Sequence, residues 1–140
     1  MTPSRILLVE DDENDVFLME RALTKAKLAQ PMHVAVNGRE ALDYLSGSGR
    51  FGDRSAHPLP NCVFLGLKLP YVHGFEVLEW MRNQSLLGNI SVFVLTSSPE
   101  DRDRERAMQL GATEYLLKPP TPEMLQQVFT KHPHCGGRLN

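Results

Sequence analysis

Three stretches of this chain carry side chains suited to phosphoryl chemistry, and they lie far apart in sequence. They are the acidic run Glu10-Asp11-Asp12, the hydroxyls of Thr96-Ser97, and Lys118 ahead of Pro119. Carboxylate oxygens suit a hard cation such as Mg²⁺, while a hydroxyl and an ammonium suit phosphoryl oxygens. Acids at such a place also simply begin a helix, whose dipole favours them, and that accounts for Asp12 and Glu13. It does not account for Thr96 and Lys118. The question is whether a fold brings all three stretches to one place.

The elements that would position them alternate. Ile6-Leu7-Leu8-Val9 is a continuous apolar run, as a strand buried on both faces requires, and it stops at Glu10. A helix follows with Val16, Met19, Leu23 and Ala26 along one face. Met32 to Val36 reads as a second strand, and Asn37 caps a short helix carrying Ala41, Leu42 and Leu45. Residues 46–61 are rich in Gly, Ser, Pro and Arg and read as a long surface loop. Cys62 to Leu65 is a third strand and Gly74 to Arg82 a third helix. Ser91 to Leu95 is a fourth strand, and Pro99 opens a fourth helix that stops at Gly111. Glu114 to Leu117 is a fifth strand, and Thr121-Pro122 begins a last helix. The tail 131–140 reads as disordered.

Five strands alternating with five helices predict an α/β fold, a doubly wound parallel sheet with both faces covered. In such sheets the ligand crevice lies beyond the carboxyl ends of the strands. The acids follow the first strand, the hydroxyl ends the fourth, and the lysine follows the fifth. All three should meet there.

With those motifs in place, residues 4–130 resemble the receiver domains of two-component phosphorelay signalling. The resemblance rests on Ile6-Leu7-Leu8-Val9-Glu10-Asp11-Asp12, Leu69-Pro70-Tyr71-Val72-His73-Gly74, Val94-Leu95-Thr96-Ser97 and Gly111-Ala112-Thr113-Glu114-Tyr115-Leu116-Leu117-Lys118-Pro119. It implies a flavodoxin-like sheet of order 2-1-3-4-5. It implies that Glu10, Asp11 and the backbone carbonyl of Lys68 face a Mg²⁺ ion. It also implies that Thr96 and Lys118 attend the phosphoryl group and that Tyr115 changes rotamer on activation. The long loop resembles that of single-domain receivers paired with bacterial phytochrome kinases.

One position departs from the family. The phosphate-accepting aspartate stands four residues before the loop proline, and counting back from Pro70 reaches Gly66. Glycine has no carboxylate, and its neighbours Phe64, Leu65, Leu67, Lys68 and Leu69 offer none. Glycine inside a buried strand also costs up to ~1 kcal/mol. Its presence has three readings: a natural loss of phosphorylation, a need for close backbone approach, or a substituted residue. The loss removes a metal-binding oxygen, so Mg²⁺ is expected to bind weakly or not at all. It also leaves Lys118 to pair with Glu10, Asp11 or solvent, where its charge could stand in for the metal's. His73 is a second departure, at a position where the family often has an acid.

Other signals are declined. Gly47-Ser48-Gly49-Arg50-Phe51-Gly52 spells a dinucleotide-binding string, but a helix precedes it and a Pro-rich loop follows, the reverse of what that site requires. His132, His134 and Cys135, with distant His57, make a poor metal cage on a floppy tail. Trp80, Phe75 and Met81 read as helix-face packing. Cys62 sits in an apolar run and Cys135 near the chain end, so no structural disulfide is expected between them.

The chain has 140 residues, room for one domain, with 41% apolar and 23% charged residues. A net charge of −2 argues against nucleic acid or an anionic membrane as the main partner. No apolar run approaches the ~20 residues that cross a bilayer, and Met1 to Arg5 lead into a strand without a signal peptide, so cytoplasm is the expected location. The expected function is that of a stand-alone, non-enzymatic pseudo-receiver that works by binding proteins, a sensor histidine kinase or another signalling protein. The alternatives are a phosphorylatable receiver with aspartate at 66, or an assembly subunit of the same fold. The helix 4–strand 5–helix 5 face, with Arg102, Arg104, Glu105, Arg106 and Glu123, is the expected partner or dimer surface.

Overall fold

The computed structural model describes residues 5–28 and 30–136; the expectations for 1–4 and 137–140 lie outside the described residues. Five strands form one parallel sheet: β1 (Ile6–Val9), β2 (Met32–Ala35), β3 (Cys62–Leu65), β4 (Ser91–Thr96) and β5 (Glu114–Leu117). Their order is β2-β1-β3-β4-β5. Helices α1 (Glu13–Lys25), α2 (Gly38–Ser46), α3 (Gly74–Asn83), α4 (Asp101–Gln109) and α5 (Pro122–Lys131) make the crossovers.

Strand period sorts the core into two layers. Leu7, Val9, Val63, Leu65, Val92, Val94 and Tyr115 point to one face, where Tyr44, Leu78, Met81 and Ala107 of α2, α3 and α4 cover them. Their chain neighbours Ile6, Leu8, Cys62, Phe64, Phe93 and Leu95 point to the other, against Met19 and Leu23 of α1 and Leu125 and Phe129 of α5. That is why β1 and β3 are apolar at every position. A strand covered on both sides has no solvent face to make polar.

Local chemistry sets the helix ends. Asp12 caps α1 by accepting from Asn14 N at 2.8 Å, Asn37 caps α2 through Glu40 N at 2.7 Å, and Thr121 caps α5 through Met124 N at 3.1 Å. Pro99 lies just outside α4 rather than within its first turn, because Glu100 is the N-cap residue. Gly74 must be glycine: a Cβ there would sit 2.1 Å from the carbonyl oxygen of Gly66. α3 therefore approaches the end of β3 closely.

The loop after α2 is more ordered than its composition implied. It holds a 3-10 turn, Gly49–Phe51, and Arg54 ties it to α2. The guanidinium donates from Nη1 to the carbonyls of Tyr44 at 2.8 Å and His57 at 3.0 Å, and from Nη2 to that of Leu45 at 2.8 Å. Tyr44 and Leu45 lie in the last turn of α2, where a helix leaves carbonyls without intrahelical partners.

The expectation of a disordered tail fails over 131–136. Lys131 ends α5, and Pro133–Gly136 form a second 3-10 turn. Cys135 is fully buried there in the α1–α5 layer. An apolar side chain with a gap to fill overrides the local tendency of Pro and Gly to stay loose. Among the described residues, no helix is long and apolar enough to cross a membrane.

Candidate functional site

The carboxyl ends of β1, β3, β4 and β5 open on a crevice of about 440 Å³, lined by Glu10, Asp11, Asp12, Asp15, Gly66, Lys68, Thr96 and Lys118 among others. The three stretches singled out in the sequence do meet. β1 ends at Val9 and delivers Glu10, which is almost fully buried at 5% exposure. β4 ends on Thr96, whose Oγ1 accepts from Ser98 N at 3.2 Å. Lys118 follows β5, and its backbone N donates to Thr96 O at 2.8 Å, which holds the two residues side by side.

Lys118 has two partners. Its Nζ lies 2.8 Å from Glu10 Oε1 and 2.7 Å from Asp15 Oδ2. Burial by itself would lower the lysine's pKa, but hydrogen bonds and charge from Asp15 and Glu10 outweigh it and hold the ammonium above its ordinary value. Pairing with Asp11, one of the alternatives in the sequence, does not occur; Asp11 is exposed at the rim. Asp15 is the site residue that sequence reasoning missed. Its signal was available: it stands three residues after the capping Asp12, in the first turn of a helix that starts at a strand's carboxyl end.

Gly66 continues directly from β3, its N–H donating to Val9 O at 3.0 Å. A Cβ at 66 would sit 3.2 Å from Val9 O, 3.4 Å from Leu69 Cδ2 and 3.7 Å from Glu10 Oε1. That is tight, yet only a few tenths of an ångström of yielding would admit it, so close backbone approach does not by itself demand glycine here. Lys68 is exposed at the rim.

Mg²⁺ chemistry requires several oxygens converging on one point. Glu10 Oε1 is taken by Lys118, and Oε2 accepts from Asp12 N at 3.1 Å. Gly66 supplies none. Among the described residues no three His, Cys, Asp or Glu side chains stand together as a metal would need. As arranged, the donor set does not fit the ion, and the crevice's central cation is the lysine.

Tyr115 is turned inward. It is 7% exposed, its hydroxyl donates to Ser98 O at 2.8 Å, and the Arg104 guanidinium lies 4.8 Å from its ring centroid. Ser98 also donates from Oγ to Asp103 Oδ2 at 2.7 Å, binding the β4–α4 loop to α4. Arg106 covers Phe75 at 4.9 Å. Two of the three arginines in that charge run are therefore spent on aromatic rings, and only Arg102 pairs with an acid, Glu100, at 3.4 Å.

His73 does not join the crevice chemistry. Its Nδ1 accepts from Phe75 N at 3.1 Å, and Glu76 Oε1 accepts from His73 N at 2.8 Å. This is a reciprocal cap on α3, a role that an acid at this position could also fill. His132 and His134 reach different partners, Glu114 Oε2 at 2.9 Å and Ser91 Oγ at 2.7 Å.

An α/β sheet of this order with such a crevice defines the receiver class, and the comparisons with known proteins agree. Residues 6–130 match the model of the response regulator receiver domain. The chain belongs to that family, whose members act in two-component signalling with proteins such as histidine kinases. It is 37% identical over 125 residues to the "Probable methanogenesis regulatory protein FilR2" of Methanothrix harundinacea, covering 89% of this chain and 78% of that protein. Its structure resembles the bacteriophytochrome response regulator AtBRR, with a TM-score of 0.82, 38% identity, and 100% and 97% of the two chains covered. It also resembles the phosphorylated cyanobacterial phytochrome response regulator RcpA, with a TM-score of 0.79, 27% identity, and 95% and 93% covered.

Proposed function

We propose that this receiver signals without an aspartyl phosphate, as a pseudo-receiver read through protein contacts on its α4–β5–α5 face. The observation that carries this is the clasp of Lys118 between Glu10 and Asp15 beside Gly66. In a phosphorylatable crevice the ammonium awaits the acceptor carboxylate and its phosphoryl group. Here two other carboxylates satisfy it, and no nucleophile stands at the end of β3. Mg²⁺, on this reading, is weakly held or dispensable.

The inward Tyr115 supports the second half of the proposal. If its rotamer marks the active arrangement, as the family resemblance implies, this chain holds that arrangement through Ser98 O and Arg104 without a ligand. A ligand only adds differential free energy to an equilibrium that sequence can bias instead. The partner is a sensor histidine kinase or another signalling protein. Similarity to proteins described as phytochrome response regulators favours a kinase of that kind.

Incubation with acetyl phosphate or beryllofluoride tests the reading. The unmodified chain should gain no mass and form no adduct, while Gly66→Asp should become an acceptor. An acid-labile phosphate at one per chain on the unmodified protein would overturn it.

A further inference from the structure

The far end of the sheet from Gly66 holds a pair of thiols that the crevice does not use. Cys62 is the first residue of β3 and points to the α1–α5 face. Cys135 belongs to the 3-10 turn that follows α5 and fills the same layer; neither residue is exposed. Although half the chain separates them in sequence, the two thiols share one buried layer, and His134, next to Cys135, is bonded to Ser91, the residue that pairs with Cys62 across β3 and β4. Cys135 beside it, and then burial, push the Cys62 thiol well above its ordinary pKa. In the closed turn Cys62 keeps its proton, and neither sulfur can be reached from solvent.

The turn is fastened by surface contacts. His134 Nε2 lies 2.7 Å from Ser91 Oγ and 3.7 Å from Cys135 Sγ, and His132 Nε2 lies 2.9 Å from Glu114 Oε2. Hydrogen bonds of this kind, exposed or only partly buried, contribute about 1 kcal/mol each, so such a segment opens far more often than the sheet. Opening it uncovers Cys135 while Cys62 stays in the sheet.

We propose that Cys62 and Cys135 form a redox site, oxidised by a small disulfide of the glutathione type to an internal disulfide that ties the C-terminal turn to β3. With the turn open, the Cys135 thiolate attacks one sulfur of the small disulfide, whose S–S bond breaks and releases one thiol. As the turn begins to close, with water still in the gap, Cys62 gives up its proton to water and its sulfur attacks Cys135 Sγ, displacing the second thiol. Two protein thiols lose two electrons and two protons, and the small disulfide takes them up as two thiols. The bond would pin the end of α5, which runs directly into the turn. It would make covalent a pairing for which the sequence offered no reason, and it does not depend on how the crevice functions.

The full-length chain, reduced and desalted, is incubated with oxidised glutathione, quenched with acid and N-ethylmaleimide, and digested. One peptide linking Cys62 to Cys135 is expected, with the intact mass lower by about 2 Da and no glutathione retained. The melting temperature should rise by about 5 °C or more, reversed by dithiothreitol. Retained glutathione without an internal link, linked dimers, or untouched thiols would each overturn the site. Ser91→Ala removes the bond to His134 that fastens the turn and leaves the His134–Cys135 contact in place, so linking should run several-fold faster. An unchanged rate would rule out the opening route.

Discussion

Lys118 Nζ lies 2.7 Å from Asp15 Oδ2, although 103 residues separate them. The contact joins the loop after β5 to the first turn of α1 and shares the ammonium with buried Glu10. Removing the lysine would leave Glu10 buried and uncompensated, so Lys118→Met should destabilise the fold by about 2–3 kcal/mol. Asp15→Asn leaves Glu10 paired and should cost about 1 kcal/mol or less. Urea midpoints at neutral pH check both.

The same pair has a pH signature. The folded-state pKa of Lys118 is raised above its ordinary 10.5, so the folded chain keeps the proton where the unfolded chain has lost it. The contribution is complete below 10.5 and disappears as pH climbs through the higher folded value. Stability measured across pH 9 to about 11.5 should fall more steeply in the unmodified chain than in Lys118→Met.

Metal binding should respond in the opposite sense. Mg²⁺ or Mn²⁺ at low millimolar levels should leave the melting temperature of the unmodified chain unchanged. In Lys118→Met the freed oxygens of Glu10 and Asp15 can converge on a cation, and Mn²⁺ should then raise it. Saturable stabilisation of the unmodified chain, abolished by Asp11→Ala, would contradict the lysine's role as resident cation.

On the α4–β5–α5 face, Tyr115→Phe removes one partly buried hydrogen bond and should cost about 1 kcal/mol. Arg104→Glu should weaken partner capture or self-association, read by crosslinking or sedimentation, while costing only the ~0.5–1 kcal/mol of an exposed cation–ring contact with Tyr115. Loss of binding on altering α1 instead, with Arg104→Glu silent, would place the contact on the wrong side of the molecule for this proposal.

His33 predicts an acid limit. It stacks on Tyr44 with centroids 4.5 Å apart, and burial lowers its pKa below 6.5 against the opposing pull of Glu40. The unfolded chain therefore binds a proton that the folded chain resists. This contribution is whole above 6.5 and is lost as pH falls through the lower folded value. His33→Phe should flatten the stability profile as pH falls below 6.5.

How much of this was legible beforehand differs by element. Strand period and helix caps belong to the local chain, so β1, β3, β5 and the caps Asp12, Asn37 and Thr121 could be read from residue order alone. The switch-point rule then placed Glu10, Thr96 and Lys118 in one crevice, because a strand's end is also a position in space. Gly66 needed only counting. Asp15, Ser98 and the Cys62–Cys135 pair could not be read so, since each depends on which way a side chain turns and what lies across from it. The turn at Pro133–Gly136 was not legible for the same reason: Pro133, Gly136 and the histidines prefer no regular structure locally. Burial of Cys135 against β3 decides otherwise, because an apolar contact supplied by distant strands outweighs a weak local preference. Sequence alone determined the sheet and the glycine that follows β3. Only the tertiary structure decided that Lys118 is already paired, since a shared ammonium is a property of three side chains meeting and of none of them singly.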